Sequence, residues 1–178
     1  QSNEIREQAE KAIINPIVLK DLLFDLAGSS RRNRQYAAST LSVTAKLNPE
    51  TLVPHIGRLV DALECTEAQT RWETLDALSF IVPVAPEACR EAIPGAEAAL
   101  FDENNGLLHL SALRFFCALA SISQEYSVEL WPLIDEGIQC YHGDAEFSEM
   151  LTCVTSFSLS DLADNVKIEL AARMACDA

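Results

Sequence analysis

Apolar residues recur at the three- and four-residue spacing of an α-helix along most of the chain, and polar turn residues interrupt that spacing at intervals. Asn15-Pro16 and Asn48-Pro49 each place a capping residue before a proline, which is the usual chemistry of a helix start. Gly28 lies between them, where a helix should end. No segment sustains the alternation of a β-strand. The pattern therefore predicts an all-α chain whose helices are joined by short connections.

The sequence also repeats itself at an offset of 37 positions, because segments 30–63 and 67–100 align without a gap. The matched residues include Arg34 with Arg71, Leu41 with Leu78, Ser42 with Ser79, Pro49 with Pro86, Glu50 with Glu87, and Ile56 with Ile93. A period of this length with helical patterning predicts a solenoid of paired helices, each of which buries its apolar stripe against its neighbours.

The predicted solenoid is one domain, 1–178, with four helical hairpins and a terminal helix. The hairpins are expected at about 15–47, 48–84, 85–121 and 122–158, and the terminal helix at 159–176. The first helices are predicted at 16–27, 49–63, 86–100 and 127–141, the second helices at 32–47, 68–82, 106–121 and 145–157, and the last helix at 160–174. Pro54, Pro94 and Pro132 fall at similar places in successive first helices and predict one bend in each.

The second helices resemble those of the HEAT-repeat family, which begin with the pattern R-x-x-A-x-x-x-L. Arg34, Ala37 and Leu41 match it directly, and Arg71 and Leu78 match it with threonine in place of alanine. Armadillo-like repeats are a related alternative. In the third repeat, Gly106 or Leu108 stands near the place of the arginine. The resemblance implies a right-handed superhelix with the second helices on its concave side, and protein binding without catalysis.

Charge and cysteine usage narrow the classes of partner and compartment. The formal net charge of −14 disfavours nucleic acid and anionic membranes as partners and favours a basic helix or tail of another protein. There is no hydrophobic run long enough to span a bilayer. The six cysteines are irregularly spaced without a C-x-x-C pair, which favours reduced thiols and a cytoplasmic location. No motif predicts a metal site, a cofactor or a catalytic group, and the oligomeric state stays open.

The predicted binding face follows the second helices. Trp72 occupies a repeat position that is polar Gln35 one repeat earlier, and Asp76 lies one turn after Trp72 on the same side of the helix. Exposed tryptophans often anchor interfaces, whereas the alternative for Trp72 is packing over a neighbouring turn. The residues assigned to this face are Gln35, Ser39, Trp72, Asp76, Ser79 and Ser111.

A second hypothesis rests on the same tryptophan and aspartate. The stretch 72–76 resembles a segment of HEAT-like alkylpurine DNA glycosylases, in which the carboxylate stabilises a cationic sugar and an arginine of the next repeat joins the pocket. The repeat alignment places that arginine near His109 or Leu110, and Arg114 lies outside this register. Together with the acidic charge, this predicts at most a degenerate or inactive relative of those enzymes.

Overall fold

The computed structural model describes residues 2–103 and 105–176, and all regular structure in these two segments is helical. The α-helices are α1 (Ser2–Ile14), α2 (Pro16–Leu26), α3 (Arg31–Leu47), α4 (Ile56–Ala62), α5 (Ala68–Ile81), α6 (Pro86–Cys89), α7 (Ile93–Leu100), α8 (Gly106–Ala120), α9 (Gln124–Tyr141), α10 (Phe147–Ser158) and α11 (Asp164–Cys176). Short 3₁₀ helices at Pro49–His55 and Arg90–Ala92 precede α4 and α7. The predicted helical class is confirmed.

Side-chain caps explain where several helices begin. Asn15 accepts a hydrogen bond from the Ile17 amide at 3.0 Å, as its position before Pro16 predicts. Ser30, Asn105 and Ser123 cap α3, α8 and α9 in the same way. Each such cap satisfies an amide that the first helical turn leaves unbonded, and its loss typically costs about 1 kcal/mol.

The prolines act differently from one another. Pro54 lies inside a 3₁₀ helix, and Pro94 stands in the first turn of α7, so the two helices expected at 49–63 and 86–100 are each divided. Pro132 instead lies within α9, which runs without a break from Gln124 to Tyr141. The missing amide of a proline is harmless in a first turn, which explains why the chain restarts its helix at Pro94.

Helices α10 and α11 start later than predicted. Helix α10 begins at Phe147 rather than at 145, and the Asp144 carboxylate contacts His109. Helix α11 begins at Asp164 rather than at 160, after a turn in which the Leu162 amide donates to the Ser160 carbonyl.

The packing follows chain order. Helix α1 packs on α3, α3 on α5, α5 on α8, and α8 on α10; we call these five helices the central row. The remaining helices flank the row: α2 packs on α3, α4 on α5, α7 and α9 on α8, and α11 on α9. A continuous apolar core runs between the two sets, and Leu41, Leu78 and Phe116 are fully buried within it.

Most side-chain hydrogen bonds between the hairpins share a narrow range of sequence separation. Arg71 donates to Asp102, 31 residues later, and the Tyr141 hydroxyl donates to the Leu100 carbonyl, 41 residues earlier. Between these limits lie, among others, the bonds of Ser39 to Glu73, Arg58 to Leu23, Arg114 to Asp76, Trp131 to Glu169, and Arg173 to Asp135. Each hairpin is therefore bonded to the one next to it in sequence.

Candidate binding face

The structure distributes the six predicted face residues over α3, α5 and α8 of the central row. Gln35, Ser39, Trp72 and Asp76 are partly exposed, and each can therefore meet a partner. Ser79 is 9% exposed and Ser111 is 3% exposed. These two serines are too buried to serve as direct contacts, so the face narrows to the other four residues.

The two buried serines have local roles instead. The Ser79 hydroxyl donates to the Leu75 carbonyl at 2.8 Å, one helical turn earlier in α5. The Ser111 hydroxyl hydrogen-bonds the Asp76 carboxylate from the neighbouring helix α8. Ser111 thus holds Asp76 in place from below the surface.

Arg114 faces Asp76, contrary to the sequence-based register. Its Nη1 atom lies 2.6 Å from Oδ1 of Asp76. The reason is geometric: Ser39, Asp76 and Arg114 hold the same place in α3, α5 and α8, eight residues after each helix begins. Helix α8 begins 38 residues after α5, whereas α5 begins 37 residues after α3, so an offset of 37 from Asp76 falls one residue short of Arg114.

Glu73 is a member of the face that the sequence analysis missed. Its Oε1 atom accepts a hydrogen bond from the Ser39 hydroxyl at 3.1 Å, which links α5 to α3. Glu73 and Asp76 lie three residues apart on one helix and therefore on one side of it. The signal was in the sequence, since Glu73 adjoins Trp72, but the helical wheel alone assigns it to a neighbouring side.

Burial shapes the electrostatics of both carboxyls. Desolvation raises the pKa of Asp76, while the charge of Arg114 and the bond from Ser111 oppose that rise. Desolvation also raises the pKa of Glu73; the bond from Ser39 lowers it, and the charge of Asp76 raises it further. The two ionised groups are thus held at a cost in a partly dry site where they repel each other.

The cluster has more acid than base. Arg114 also lies 3.9 Å from the exposed Glu149 of α10, so it pairs with two carboxylates, while Glu73 accepts a hydrogen bond from a neutral serine. We call Trp72, Glu73, Asp76, Arg114 and Glu149 the acidic face. Its net negative charge can attract a cationic group of a partner.

Trp72 supplies the aromatic part of the acidic face. The side chain is partly buried and packs against the hydrophobic core, and part of it remains exposed. Both sequence-based alternatives therefore describe one aspect of it. A ring anchored in this way can contact a partner at low entropic cost, and its π-face can receive a cation.

A cavity of about 270 Å³ adjoins the acidic face between α8 and α10. Its lining residues are Arg114, Cys117, Ala118, Ser121, Thr152, Cys153, Ser156 and Phe157. Burial raises the pKa of the Cys117 and Cys153 thiols, so both stay neutral near pH 7. The cavity is therefore mainly apolar, with a single charge from Arg114 at its wall.

A second group of polar pairs lies at the start of the row helices, where each basic side chain meets an acid of the following hairpin. Arg34 contacts Glu67, Arg71 lies 3.0 Å from Asp102, and His109 lies 3.1 Å from Asp144. We call these three pairs, of which Arg71–Asp102 is the middle one, the edge rungs. Each pair links two adjacent hairpins, and within it each buried polar side chain has a partner.

Residues 2–103 and 105–176 contain no group of three or more potential metal ligands, and no helix among them combines the length and apolarity that a bilayer crossing requires. The six cysteines are free thiols. No protein-family model matches the chain, and neither a curated protein nor a solved structure is similar to it at a significant level.

Proposed function

We propose that the protein is a non-catalytic scaffold that binds a partner protein through the acidic face, and that a basic segment of the partner occupies it. The observation that carries the proposal is the surplus of acid around Trp72. The face holds three carboxylates and one guanidinium: Arg114 pairs with Asp76 and Glu149, and Glu73 bonds a serine hydroxyl. Burial raises the pKa of Glu73 and of Asp76. A lysine or arginine of a partner would relieve that surplus, because it supplies the missing countercharge in a partly desolvated site.

The partner should also contribute an apolar side chain. The cavity beside Arg114 is lined mainly by apolar and small groups, and its volume of about 270 Å³ suits one such side chain. We therefore expect a segment in which a basic residue and an apolar residue lie close together, as they do on an amphipathic helix.

The architecture proposed for this scaffold is a right-handed HEAT-like α-solenoid. The support for it is the pattern of inter-hairpin bonds, most of which join residues 31 to 41 positions apart, and the chain-order packing of the central row. Contacts restricted to adjacent repeats are the defining property of a solenoid. In such a fold the acidic face lies on the side formed by the second helices. A cytoplasmic location fits the free thiols and is part of the proposal.

Affinity capture from the source organism tests the proposal. The bait is the intact chain, compared with Trp72→Ala and with Phe24→Ala, which removes a 73% exposed ring from the distant helix α2. The partner captured by the wild type should be lost with Trp72→Ala and retained with Phe24→Ala. Equal capture by all three proteins, or loss only with Phe24→Ala, would contradict the assignment of the face.

A second candidate function, a relative of the alkylpurine DNA glycosylases, gains support from the contact of Arg114 with Asp76. With Trp72 one turn away, this arrangement includes the arginine that the sequence register lacked. Against it stands the acid surplus, which repels phosphates. Incubation with a duplex that contains an alkylated purine decides between the two. The scaffold proposal expects no base release and no tight, salt-sensitive DNA binding, whereas release that Asp76→Asn abolishes would favour the glycosylase.

A further inference from the structure

His109 occupies the position at which two other row helices carry arginine. Arg34, Arg71 and His109 each lie three residues after the start of their helix. Arg34 donates to the Gly28 carbonyl of the preceding turn at 2.7 Å and also contacts Glu67 at the start of the next row helix. The histidine ring makes the same two kinds of contact with Asp102 and Asp144.

Both partners of the His109 ring are hydrogen-bond acceptors. Nε2 contacts the backbone carbonyl of Asp102, before α8, and Nδ1 lies 3.1 Å from the carboxylate of Asp144, before α10. A neutral imidazole has one N–H group, so it would leave a lone pair against one of the two oxygens. Only the doubly protonated imidazolium donates to both. In this form His109 carries the positive charge that Arg34 and Arg71 carry at the same position of their helices.

The ring is enclosed by its neighbours. His109 is 5% exposed, and its ring stacks on Tyr141 with 3.8 Å between the centroids, so little water can replace either bond. Asp144 faces it from one side and Glu146 lies against Gly106, the first residue of α8.

The remaining facing groups are a phenol and a paired acid. Burial raises the pKa of Tyr141, so the phenol stays neutral. The carboxylate of Asp102 pairs with Arg71 of α5 at 3.0 Å. The ring nitrogen on that side therefore meets the Asp102 backbone carbonyl.

We propose that His109 is a proton-operated clamp between the third and fourth hairpins. With its proton it ties the turn before α8 to the turn before α10. On losing the proton it can hold only one of the two oxygens, so Asp144 is released and α10 loosens against α8. Because α10 forms one wall of the cavity beside Arg114, pH would then adjust the binding surface.

The sign of the effect follows from linkage. Only the protonated ring bonds both acceptors, so the stability that the clamp contributes is present at acid pH and is lost as the pH rises. Histidine changes charge between about pH 5 and about pH 8, which sets the window. Arginine at the same position would keep its charge throughout.

Urea unfolding between about pH 5.5 and about pH 8.5 tests the clamp on the wild type, His109→Arg and His142→Gln. The control, His142, is an exposed histidine that follows Tyr141. Across this range, the folded-to-unfolded ratio of the wild type should fall about tenfold relative to that of His109→Arg. His142→Gln should follow the wild type. Parallel pH profiles of the wild type and His109→Arg would overturn the proposal.

A second measurement needs no variant and covers the case in which His109→Arg does not fold. Nitrogen-15 spectra of histidine-labelled wild type should show both ring nitrogens of His109 bearing protons in the folded protein at the acid end of the window. The N–H of Phe147 donates to the Asp144 carbonyl at 3.1 Å. Its protection against amide exchange, measured relative to the intrinsic exchange rate at each pH, should fall as the His109 proton is lost. A ring with one bare nitrogen at the acid end, or exchange at Phe147 independent of the ring's protonation, would refute the clamp.

Discussion

The edge rungs and the acidic face are both built from residues at equivalent positions of neighbouring row helices, but their charges are balanced differently. In the edge rungs each basic side chain meets one acid of the following hairpin, and the pairs are largely buried: the Glu67 side chain is 8% exposed and that of Arg71 is 12% exposed. The acidic face holds three carboxylates and one guanidinium, and Glu149 is 71% exposed. The rungs pair base with acid one to one, whereas the face has more acid than base.

This difference in acid–base balance distinguishes charged residues that stabilise the fold from charged residues that can bind a partner. A buried one-to-one pair satisfies both partners and fixes the position of adjacent hairpins. A partly exposed surplus of one sign does not stabilise the chain, because its members repel each other and lose solvation. Our proposal attributes this surplus of acid to a binding site for a lysine or arginine of the partner. Three substitutions test this contrast, and the largest effect is expected at the edge.

Removal of an edge cation should be severely destabilising. Arg34→Ala leaves the Glu67 carboxylate buried without its countercharge, and the free energy of unfolding should fall by about 3 kcal/mol. Urea denaturation at neutral pH measures the change. The exposed Arg32, two residues away, gives a matched control, and Arg32→Ala should alter stability by less than about 0.5 kcal/mol. Equal losses in the two variants would mean that the rung is not a structural pair.

Removal of the aromatic anchor should act on binding. Trp72→Ala should weaken the affinity for the captured partner by about 2 kcal/mol, because an anchored ring at the centre of an interface carries a large share of the energy. Titration calorimetry measures it, with Phe24→Ala as the control on an exposed ring elsewhere. An unchanged affinity together with a loss of stability would show that Trp72 serves the core alone.

Neutralising a face carboxylate should stabilise the free protein slightly. Glu73→Gln preserves an acceptor for the Ser39 hydroxyl and removes the repulsion from Asp76, so the free energy of unfolding should rise by about 0.5 kcal/mol at neutral pH. The raised pKa of Glu73 fixes the sign: its ionised form is disfavoured by folding.

The pH dependence of that gain separates it from a packing effect. The difference between Glu73→Gln and the wild type should shrink as the pH falls and vanish below about pH 4, since the wild-type carboxyl is then protonated in the folded and the unfolded state. A gain that persists at acid pH would have another cause, and a loss of stability at neutral pH would contradict the contrast.

The sequence predicts the helical class because apolar spacing and caps are local. Asn15 before Pro16 marks a helix start that the structure confirms. The start of α10 was not predictable in this way, since it depends on which partner Asp144 bonds. The division of the helix around Pro94 depends on where a proline is tolerated.

The candidate site was predictable in part. Trp72 and Asp76 stand out against their repeat counterparts, and both are partly exposed. The sequence analysis put Gly106 or Leu108 in the place that His109 takes, because α8 begins 38 residues after α5 and a gapless repeat of 37 cannot reveal that. The contact of Arg114 with Asp76 lies further still from the expected place near His109 or Leu110. The burial of Ser111 beneath Asp76 depends on how α8 packs on α5, which no local pattern encodes.

The central claim is that the acidic face takes a basic segment, and selection of binders from an unbiased peptide library tests it most directly. Panning on the wild type, followed by affinity measurement on Trp72→Ala and Phe24→Ala, reports both the chemistry and the place of binding. We predict enriched peptides with lysine or arginine beside an apolar residue, bound at least about tenfold more weakly by Trp72→Ala and equally by Phe24→Ala. Enrichment of acidic or uncharged peptides, or equal binding to Trp72→Ala, would contradict the account.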